Sequence, residues 1–256
     1  MASIYRATKK IIYAGLFLGL VVGFISFFVI PSLNLFDRRQ ELVPTRPTDP
    51  VVVEKVDTIP HDGSLDVVTR IRNPNPRAGV PSYPVTFIVV DEAGNEIKRV
   101  SRETYLLPGT VHFVAALDLS IDRKAARVRI ETPSDFQFVR VPESFALPSF
   151  SSFLRERSIK SQGEHSVESQ RAAIRNTGTL GYRHVDITAV ALDRNNVVVG
   201  VSTTFIGNLL AGDQREFVVE WPTPTSVTEQ VLIIPSTNIY DAENTLTQEG
   251  DPSLLR

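Results

Sequence analysis

The side chains that most often carry acid–base or metal chemistry are few in this chain. No two of its four histidines have the short spacing that zinc ligands on one element use; they are His61, His112, His165 and His184. In an extended segment His112 falls opposite the face of Phe113, so we predict that it lies on the surface. His184 and Asp186 would share one strand face and could form a hydrogen-bonded pair. The histidines therefore predict no metal centre.

Acidic and amide residues gather at two places where apolar runs end. One group is Asp91, Glu92 and Asn95, and the other is Asp193 and Asn196. Their oxygens could approach a calcium ion, but calcium takes about six to eight oxygen ligands, and each group supplies too few. Because the same residue types are typical of tight turns, we predict turns here and neither a metal nor a cofactor.

Motifs for nucleophilic or nucleotide chemistry are missing from the sequence. It contains no cysteine, no G-x-S-x-G, no P-loop and no G-x-G-x-x-G. Thiolate catalysis, thiolate metal binding and disulfides within the chain are thereby excluded. A serine triad can still assemble in space without a motif. We predict that the protein is not an enzyme.

Three cations stand close together along one segment that we predict to be a strand. They are Arg155, Arg157 and Lys160, with Phe153 and Ile159 nearby. A basic edge strand commonly prevents pairing with another sheet. The more specific hypothesis is that the three cations contact an anionic wall polymer or lipid headgroups.

Residues 11–30 contain no charged side chain. A helix of this length just spans the ~30 Å hydrocarbon core of a bilayer. Cleaved signal peptides have apolar cores of about 7–15 residues that end in small residues, whereas this run ends in Phe27-Phe28-Val29-Ile30-Pro31. These features favour a retained anchor over a cleaved signal peptide.

The cations that flank this run bear on its orientation. The two sides carry equal numbers of them: Arg6, Lys9 and Lys10 before it, and Arg38, Arg39 and Arg46 after it. The α-amino charge and the nearness of Lys9 and Lys10 to the run favour an N-terminus inside the cell and a body outside it.

Three glycines inside the run stand four residues apart: Gly15, Gly19 and Gly23. This spacing lets a second helix approach closely and would support a homodimer. Since glycine is common in membrane helices in any case, the alternative is that these residues have no role in contact.

Composition limits the class of protein further. Hydrophobic residues make up 42% of the chain and the formal net charge is −2, which is ordinary globular composition and predicts no nucleic-acid partner. Neither cysteine nor an N-x-[ST] sequon occurs. Secreted eukaryotic domains usually show one or the other, so their absence favours a prokaryotic cell envelope.

The body contains an internal repeat. Three short segments recur 103 residues later: 71–73 at 174–176, 106–109 at 209–212, and 128–130 at 231–233. This period is far longer than the ~20–50 residues of solenoid units and indicates a duplicated domain.

Each copy has the alternation of apolar and polar residues that is typical of half-buried strands. The apolar positions that define it are Val85, Phe87 and Val89, then Val111, Phe113, Ala115 and Leu117 in the first copy, and Val185, Ile187 and Ala189, then Phe217, Val219 and Trp221 in the second. Turn residues at 92–95 and 194–196 predict hairpins. About seven strands per copy predict an all-β body of antiparallel sandwiches.

Two families of small β-sandwich domains resemble these copies. The water-stress and hypersensitive-response domain of late-embryogenesis-abundant proteins has an Asn-Pro-Asn turn after its second strand, as at Asn73-Pro74-Asn75, where the second copy has Asn176-Thr177-Gly178. The FxLYD domain has a strand that ends in Asp. The first copy resembles it in Phe87-Ile88-Val89-Val90-Asp91. The second copy resembles it only in the Asp of Ala189-Val190-Ala191-Leu192-Asp193. The resemblance implies an immunoglobulin-like or fibronectin-III-like sandwich, often tethered to a bacterial membrane, with no catalytic residues to carry over.

The predicted organisation is one membrane helix followed by two immunoglobulin/fibronectin-III-like β-sandwiches in tandem. Its parts are a cytoplasmic tail (1–10), a transmembrane helix (11–36), a Pro-rich linker (37–50), sandwich 1 (51–147), sandwich 2 (148–240) and a flexible tail (241–256). We expect a binding or scaffolding module of the cell envelope that contacts lipid through residues 11–30 and an envelope protein or polymer through its body. The alternatives are a subunit of a secretion or pilus machine and a stress-protective protein.

Overall fold

The computed structural model describes residues 43–44, 49–121, 127–162, 165–224 and 226–246. The chain divides into two compact units, Met1–Glu41 and Leu42–Arg256, and every described residue belongs to the second. Its described residues form an all-β structure of antiparallel sheets, as the alternation predicts. Within the described ranges, no helix has the length and apolar character needed to cross a bilayer. The predicted membrane helix and its three glycines lie outside these ranges.

Two three-stranded sheets form what we call the first sheet pair. In one sheet β3 (Ser64–Arg72) lies between β2 (Val52–Pro60) and β7 (Val111–Ser120). In the other, β5 (Val85–Val90) lies between β6 (Glu96–Arg102) and β8 (Arg127–Glu131). A third, small sheet consists of β1 (Val43–Pro44), β9 (Val139–Arg140) and β4 (Ala78–Gly79).

The core of the first sheet pair follows the predicted alternation in β5 but not in β7. In β7 the predicted positions Phe113, Ala115 and Leu117 lie on the opposite face, and Val114 and Ala116 reach this core. Val85, Phe87 and Val89 of β5 are completely buried and pack against Val67 and Ile71 of the facing sheet. Successive strand residues point to opposite faces, so these positions fill the space between the two sheets. The pair is therefore sandwich-like, with one shared apolar layer.

The second sheet pair has the same arrangement. In one sheet β11 (His165–Asn176) lies between β10 (Phe150–Gln162) and β14 (Gln214–Pro222). In the other, β12 (Gly181–Leu192) lies between β13 (Val198–Leu209) and β15 (Gln230–Ser236). The predicted strand at 151–160 lies within β10. The inward residues of the second pair include Ile187, Val219 and Trp221.

The strand orders of the two pairs correspond along the chain. The sheet β2-β3-β7 matches β10-β11-β14, and the sheet β6-β5-β8 matches β13-β12-β15. The matching strands β7 and β14 start 103 residues apart, and so do β8 and β15. The strand order thus repeats at the offset that the sequence motifs predict.

A buried asparagine ends the second long strand of each pair. Nδ2 of Asn73 donates to the carbonyl oxygens of Ala78, at 2.7 Å, and Leu107, at 3.0 Å. Its Oδ1 accepts from the backbone N–H of Asn75 at 3.1 Å. The equivalent partners of Asn176 are Leu180, Leu209 and Gly178. Because these hydrogen bonds satisfy a polar group that has no access to water, they fix the turn in both pairs.

The ordered body extends beyond the predicted boundary at residue 240. Residues Ala242–Asn244 form a short 3-10 helix, and β16 (Thr245–Leu246) pairs with the start of β12. Nδ2 of the buried Asn244 donates to Oγ1 of Thr237 at 2.8 Å. The predicted flexible tail is therefore wrong for residues 241–246, because sequence polarity there serves local hydrogen bonding; 247–256 lie outside the described residues.

The close contact of Gly200 with Trp221 gives a stability prediction. A Cβ built on Gly200 would lie 2.5 Å from Cδ1 and 2.9 Å from Nε1 of the Trp221 ring. We expect Gly200→Ala to lower the free energy of unfolding by about 1–3 kcal/mol, the usual cost of overpacking a core. Urea unfolding followed by Trp221 fluorescence measures it.

Gly207→Ala is the matched control for this change. It lies on the same strand, and the nearest atom to its Cβ, the carbonyl oxygen of Arg183, is 3.8 Å away. We expect little loss of stability there. Equal unfolding midpoints for the two variants would contradict the packing of Trp221 on Gly200.

Candidate functional site

The two sheet pairs contact each other through the outer faces of two sheets, and we call this contact the seam. The sheet β2-β3-β7 faces the sheet β13-β12-β15, so the four long sheets lie in four layers. The buried residues of the seam are Ile59 and Val68 from the first pair and Val190, Leu192 and Val201 from the second; partly buried around them are Phe113, Ala115, Leu117, Val198, Leu232 and Ile234.

The central strands at the seam are buried on both faces. In β3, Val67 points into the core of the first pair and Val68 into the seam, and they are 0% and 2% exposed. In β12, Ala189 and Val190 divide in the same way, at 0% and 1%. Strands with covered faces on both sides have continuous apolar runs rather than a clean alternation. The two inner sheets are therefore held by packing on both sides.

In the first pair, the sheet β6-β5-β8 corresponds to the seam sheet β13-β12-β15, and its outer face is charged. Val190 lies in register between Val201 and Leu232, whereas Ile88 lies in register between two arginines. The rows are Arg99, Ile88 and Arg129 in the first pair, and Val201, Val190 and Leu232 in the second. An apolar row can be buried against another sheet without desolvating ions, and a row of arginines cannot. On this face of the first pair the two arginines are exposed, and Ile88 is buried between them.

Arg99 is held on that exposed face by two acids. Its Nη2 lies 2.8 Å from Oε2 of Glu96, and its Nη1 lies 2.8 Å from Oε2 of Glu131. Hydrogen bonding to Arg99 lowers the pKa of Glu96. Because Arg99 is on β6 and Glu131 is on β8, their ion pair links the two edge strands across the central strand.

A polar cluster joins the two sheet pairs beside the seam. The Tyr105 hydroxyl lies 3.3 Å from Oδ2 of Asp186 and 3.1 Å from Oγ of Ser236. Nε2 of His184 lies 2.9 Å from Oδ1 of Asp186, so the predicted pairing of these two residues is confirmed. The ring of His184 also stacks on Phe205, with centroids 4.6 Å apart. Burial, reinforced by the charge of Asp186, raises the pKa of Tyr105.

His112 belongs to the same region and is not the surface residue that we predicted. It is partly buried, its Nε2 lies 2.8 Å from Oγ1 of Thr104, and its ring centroid is 5.1 Å from that of Tyr105. Desolvation lowers the pKa of His112 to about 4, although the charge of Asp186 opposes this change. Residues 104 and 105 precede β7 in the chain and contact His112 near its start. The alternation of β7 alone did not indicate this cover.

Tyr240 makes a second polar link between the pairs. Its hydroxyl donates to the carbonyl oxygen of Leu106 at 3.0 Å, and a Cβ at Gly79 would collide with its ring. Burial raises the pKa of Tyr240. Only a residue without a side chain leaves room at position 79, so glycine there allows the segment after β15 to contact the first pair.

The three cations predicted to contact an anionic surface have separate surroundings. Nζ of Lys160 lies 3.1 Å from Oε1 of Glu220, which is on β14 at the other edge of the same sheet. Nε of Arg157 lies 3.5 Å from Oε1 of Glu168. Arg155 is exposed in the irregularity of β10 between Leu154 and Arg157. Each of the two ion-paired cations faces a different acid, and the anionic contact of the three residues stays a prediction.

Glu168 is a buried carboxylate that the sequence reasoning did not select. Its Oε2 accepts from Oγ1 of Thr228 at 2.7 Å and from Nε1 of Trp221 at 3.3 Å. Its side chain is 5% exposed. It occupies the inward position that Leu65 holds 103 residues earlier, and this replacement is the signal that could have identified it. With Arg157 beside it, the charge is paired and hydrogen-bonded, as burial requires.

The acidic groups at the hairpins form turns, as predicted. Oδ1 of Asp193 accepts from the backbone N–H of Asn195 at 2.7 Å and of Val197 at 3.0 Å, and these bonds lower the pKa of Asp193. Gly94 and Asn196 have φ of 87° and 60°. Among the residues that the structure describes, no group of three or more His, Cys, Asp and Glu could hold a metal ion.

Comparisons with known proteins give no family for this chain. No family model matches it, and no curated protein matches it. A crystal structure of red sea bream transglutaminase is similar over 75% of this chain and 29% of that chain, with 10% identity and a TM-score of 0.23. A likeness at that level carries no argument about fold or activity.

The lowered pKa of His112 predicts a pH-dependent stability. In the unfolded chain a histidine titrates near its ordinary pKa of 6.5, whereas folded His112 titrates near 4. Between these pH values the unfolded state binds more protons than the folded state. The free energy of unfolding is therefore unaffected by the protonation of His112 above pH 6.5 and falls as the pH is lowered towards 4. The wild type should lose about 1–3 kcal/mol of its free energy of unfolding between pH 6.5 and pH 4, and we expect His112→Gln to abolish this loss.

The measurement is the free energy of unfolding in urea at pH 7 and at pH 4.5 for both proteins. The wild type should lose more stability than the variant between the two pH values. Parallel losses would show that His112 is not held neutral by its surroundings.

Proposed function

We propose that this protein is a single-pass, membrane-anchored protein of the cell envelope that has no catalytic role. Its body would be two immunoglobulin-like or fibronectin-III-like sandwiches in tandem that serve as a binding or scaffolding module. The observation that carries the proposal is the seam. It joins two sheet pairs through an apolar face and so gives one continuous four-layer body with broad outer surfaces.

The membrane part of the proposal rests on sequence. Residues 11–30 carry no charge and have the length of a membrane-spanning helix. The proline-containing linker at 37–50 would separate the body from the lipid surface. The cations that precede the helix favour an N-terminus inside and a body outside the cell membrane.

Kinship with the FxLYD and water-stress domains is part of the proposal. It is supported by the repeated strand order and by the hydrogen bonds of Asn73 and Asn176, which give the Asn-Pro-Asn and Asn-Thr-Gly segments one structural role. Short antiparallel strands in two facing sheets are also the pattern of immunoglobulin-like folds. Such kinship bears on fold more than on activity.

A binding role is favoured over catalysis by how the reactive groups are used. His184 and Tyr105 both bind Asp186 at the edge of the seam, and His61 binds Asp66 with 2.9 Å between Nε2 and Oδ2. In these clusters an acid holds neighbouring strands or loops together. No serine hydroxyl in the described residues is placed by these contacts against a histidine, as a nucleophile would require.

A second candidate is a structural subunit of an envelope assembly such as a secretion or pilus machine. The spacing of Gly15, Gly19 and Gly23 favours it, because it would allow helices of two chains to associate. A stress-protective role rests on the family resemblance alone.

Single cysteines test the proposed location, since the natural chain has none. Ser101→Cys places a thiol on the exposed face of β6, and Ser3→Cys places one before the predicted anchor. A membrane-impermeant maleimide added to intact cells should label position 101 and not position 3. After lysis, both should be labelled. Labelling of position 3 alone in intact cells would reverse the proposed orientation, and labelling of neither would place the body inside the cell.

The same strains test the binding role. The full-length protein, captured after chemical cross-linking in intact cells, should bring down one reproducible envelope protein or polymer, and the charge-reversed variant Arg129→Glu provides a comparison for the exposed face. Recovery of the protein alone, from cells in which it is correctly placed, would contradict a scaffolding function while leaving the location intact.

A further inference from the structure

A cavity opens at the seam towards the end of β12. Its volume is about 350 Å³. Binding pockets for small molecules have volumes of about 300–1,000 Å³, so this one is at the small end of the range. Since a water molecule occupies about 30 Å³ in the liquid, the cavity has room for at least about ten non-hydrogen atoms.

Both sheet pairs line the cavity with apolar side chains. The residues concerned are Val68 and Phe113 from the first pair and Val190, Leu192, Val198 and Leu232 from the second. Each of them also belongs to the seam. An apolar molecule in the cavity would therefore contact both pairs and replace water against apolar carbon, which favours binding.

The charged groups at the rim of the cavity are paired within the protein. Nζ of Lys55 lies 2.7 Å from Oδ1 of Asp57. Nε of Arg70 lies 2.8 Å from Oε2 of Glu54. An ionic ligand entering here would find each cation already neutralised and would lose hydration without gaining a counter-charge. The rim therefore disfavours both anions and cations.

Uncharged hydrogen-bonding groups remain at the rim. Asn196 and Gln230 line the cavity, and neither amide side chain bonds to any part of the chain that the structure describes. An amide offers both a donor and an acceptor. A hydroxyl or N–H group on a ligand could thus be satisfied at the mouth while its apolar body lies deeper.

We propose that this seam pocket binds a small uncharged amphiphile, a molecule of about ten non-hydrogen atoms with an apolar body and one neutral hydrogen-bonding group, as in a phenol or an indole. The inference goes beyond the scaffolding role and is independent of the membrane anchor. Because the ligand lies between the two sheet pairs, its binding would stabilise the seam by mass action.

The test uses three probes with one ring system and different charge: indole, indole-3-acetate and tryptamine. The full-length chain, labelled at Val and Leu methyl groups, is titrated with each and followed by NMR. Indole should shift the methyl signals of Val190, Leu192 and Leu232 in a saturable way, with a dissociation constant below about 1 mM. The two ions should bind at least about tenfold more weakly.

Two variants locate the binding. Val198→Trp should fill the pocket and weaken indole binding at least tenfold. Val197→Trp is the matched control, because Val197 is the preceding residue, is 50% exposed and does not line the cavity; it should bind as the wild type does. The methyl spectra report whether each variant is folded.

Several results would overturn the proposal. Absence of saturable shifts at the pocket methyl groups would show that the cavity does not take small molecules, as would be the case if it received a side chain of a partner protein. Equal binding of indole and its charged analogues would contradict the argument from the rim. Unchanged binding in a folded Val198→Trp variant would place indole elsewhere. If Val198→Trp does not fold, the proposal is judged by the shifts of the pocket methyl groups and by the comparison of indole with its two charged analogues.

Discussion

The packing of the sheet β2-β3-β7 on the sheet β13-β12-β15 is the contact on which the rest of the molecule depends. It buries Val68, Val190 and Val201 almost completely. At about 25 cal/mol per Å² of apolar surface, each fully buried valine or leucine contributes about 1.5–3 kcal/mol relative to exposure, so several together exceed what the nearby polar contacts contribute. The Tyr105–Asp186 and Tyr240–Leu106 hydrogen bonds then fix how the two pairs are aligned.

The contact also explains why two sheet pairs with the same strand order differ in their surfaces. The row of Val201, Val190 and Leu232 can be buried, whereas its counterpart in the first pair carries Arg99 and Arg129 and stays in water. A further layer of the same kind is disfavoured on that side, because it would remove Arg99 and its two acids from water, while Ile88 is already buried. The two sheet pairs thus pack into one body through the seam, and the two arginines of the charged face stay exposed.

Much of this architecture can be predicted from the sequence. The alternation at Val85, Phe87 and Val89 identifies the inward positions of β5, and the 103-residue offset relates the strands of the two pairs. The seam is harder to predict, since a two-residue period assumes that one face of each sheet meets water. The four consecutive apolar residues Ala189 to Leu192 indicate a strand that is buried on both faces, because a half-buried strand needs apolar residues on one face only. His112 was misplaced for a related reason, because the residues that cover it come from the preceding loop. The polar cluster and the seam pocket combine strands that are far apart in the chain, and only tertiary pairing brings them together.

Equilibrium unfolding followed by two probes tests most directly whether the seam makes the two sheet pairs one cooperative unit. Trp221, the single tryptophan, reports on the second pair through its fluorescence, and the methyl signals of Val85 and Val89 report on the core of the first. In urea the two transitions should coincide in the wild type, and Val190→Asp, which places a charge in the seam, should separate them. Two distinct transitions in the wild type would contradict the account.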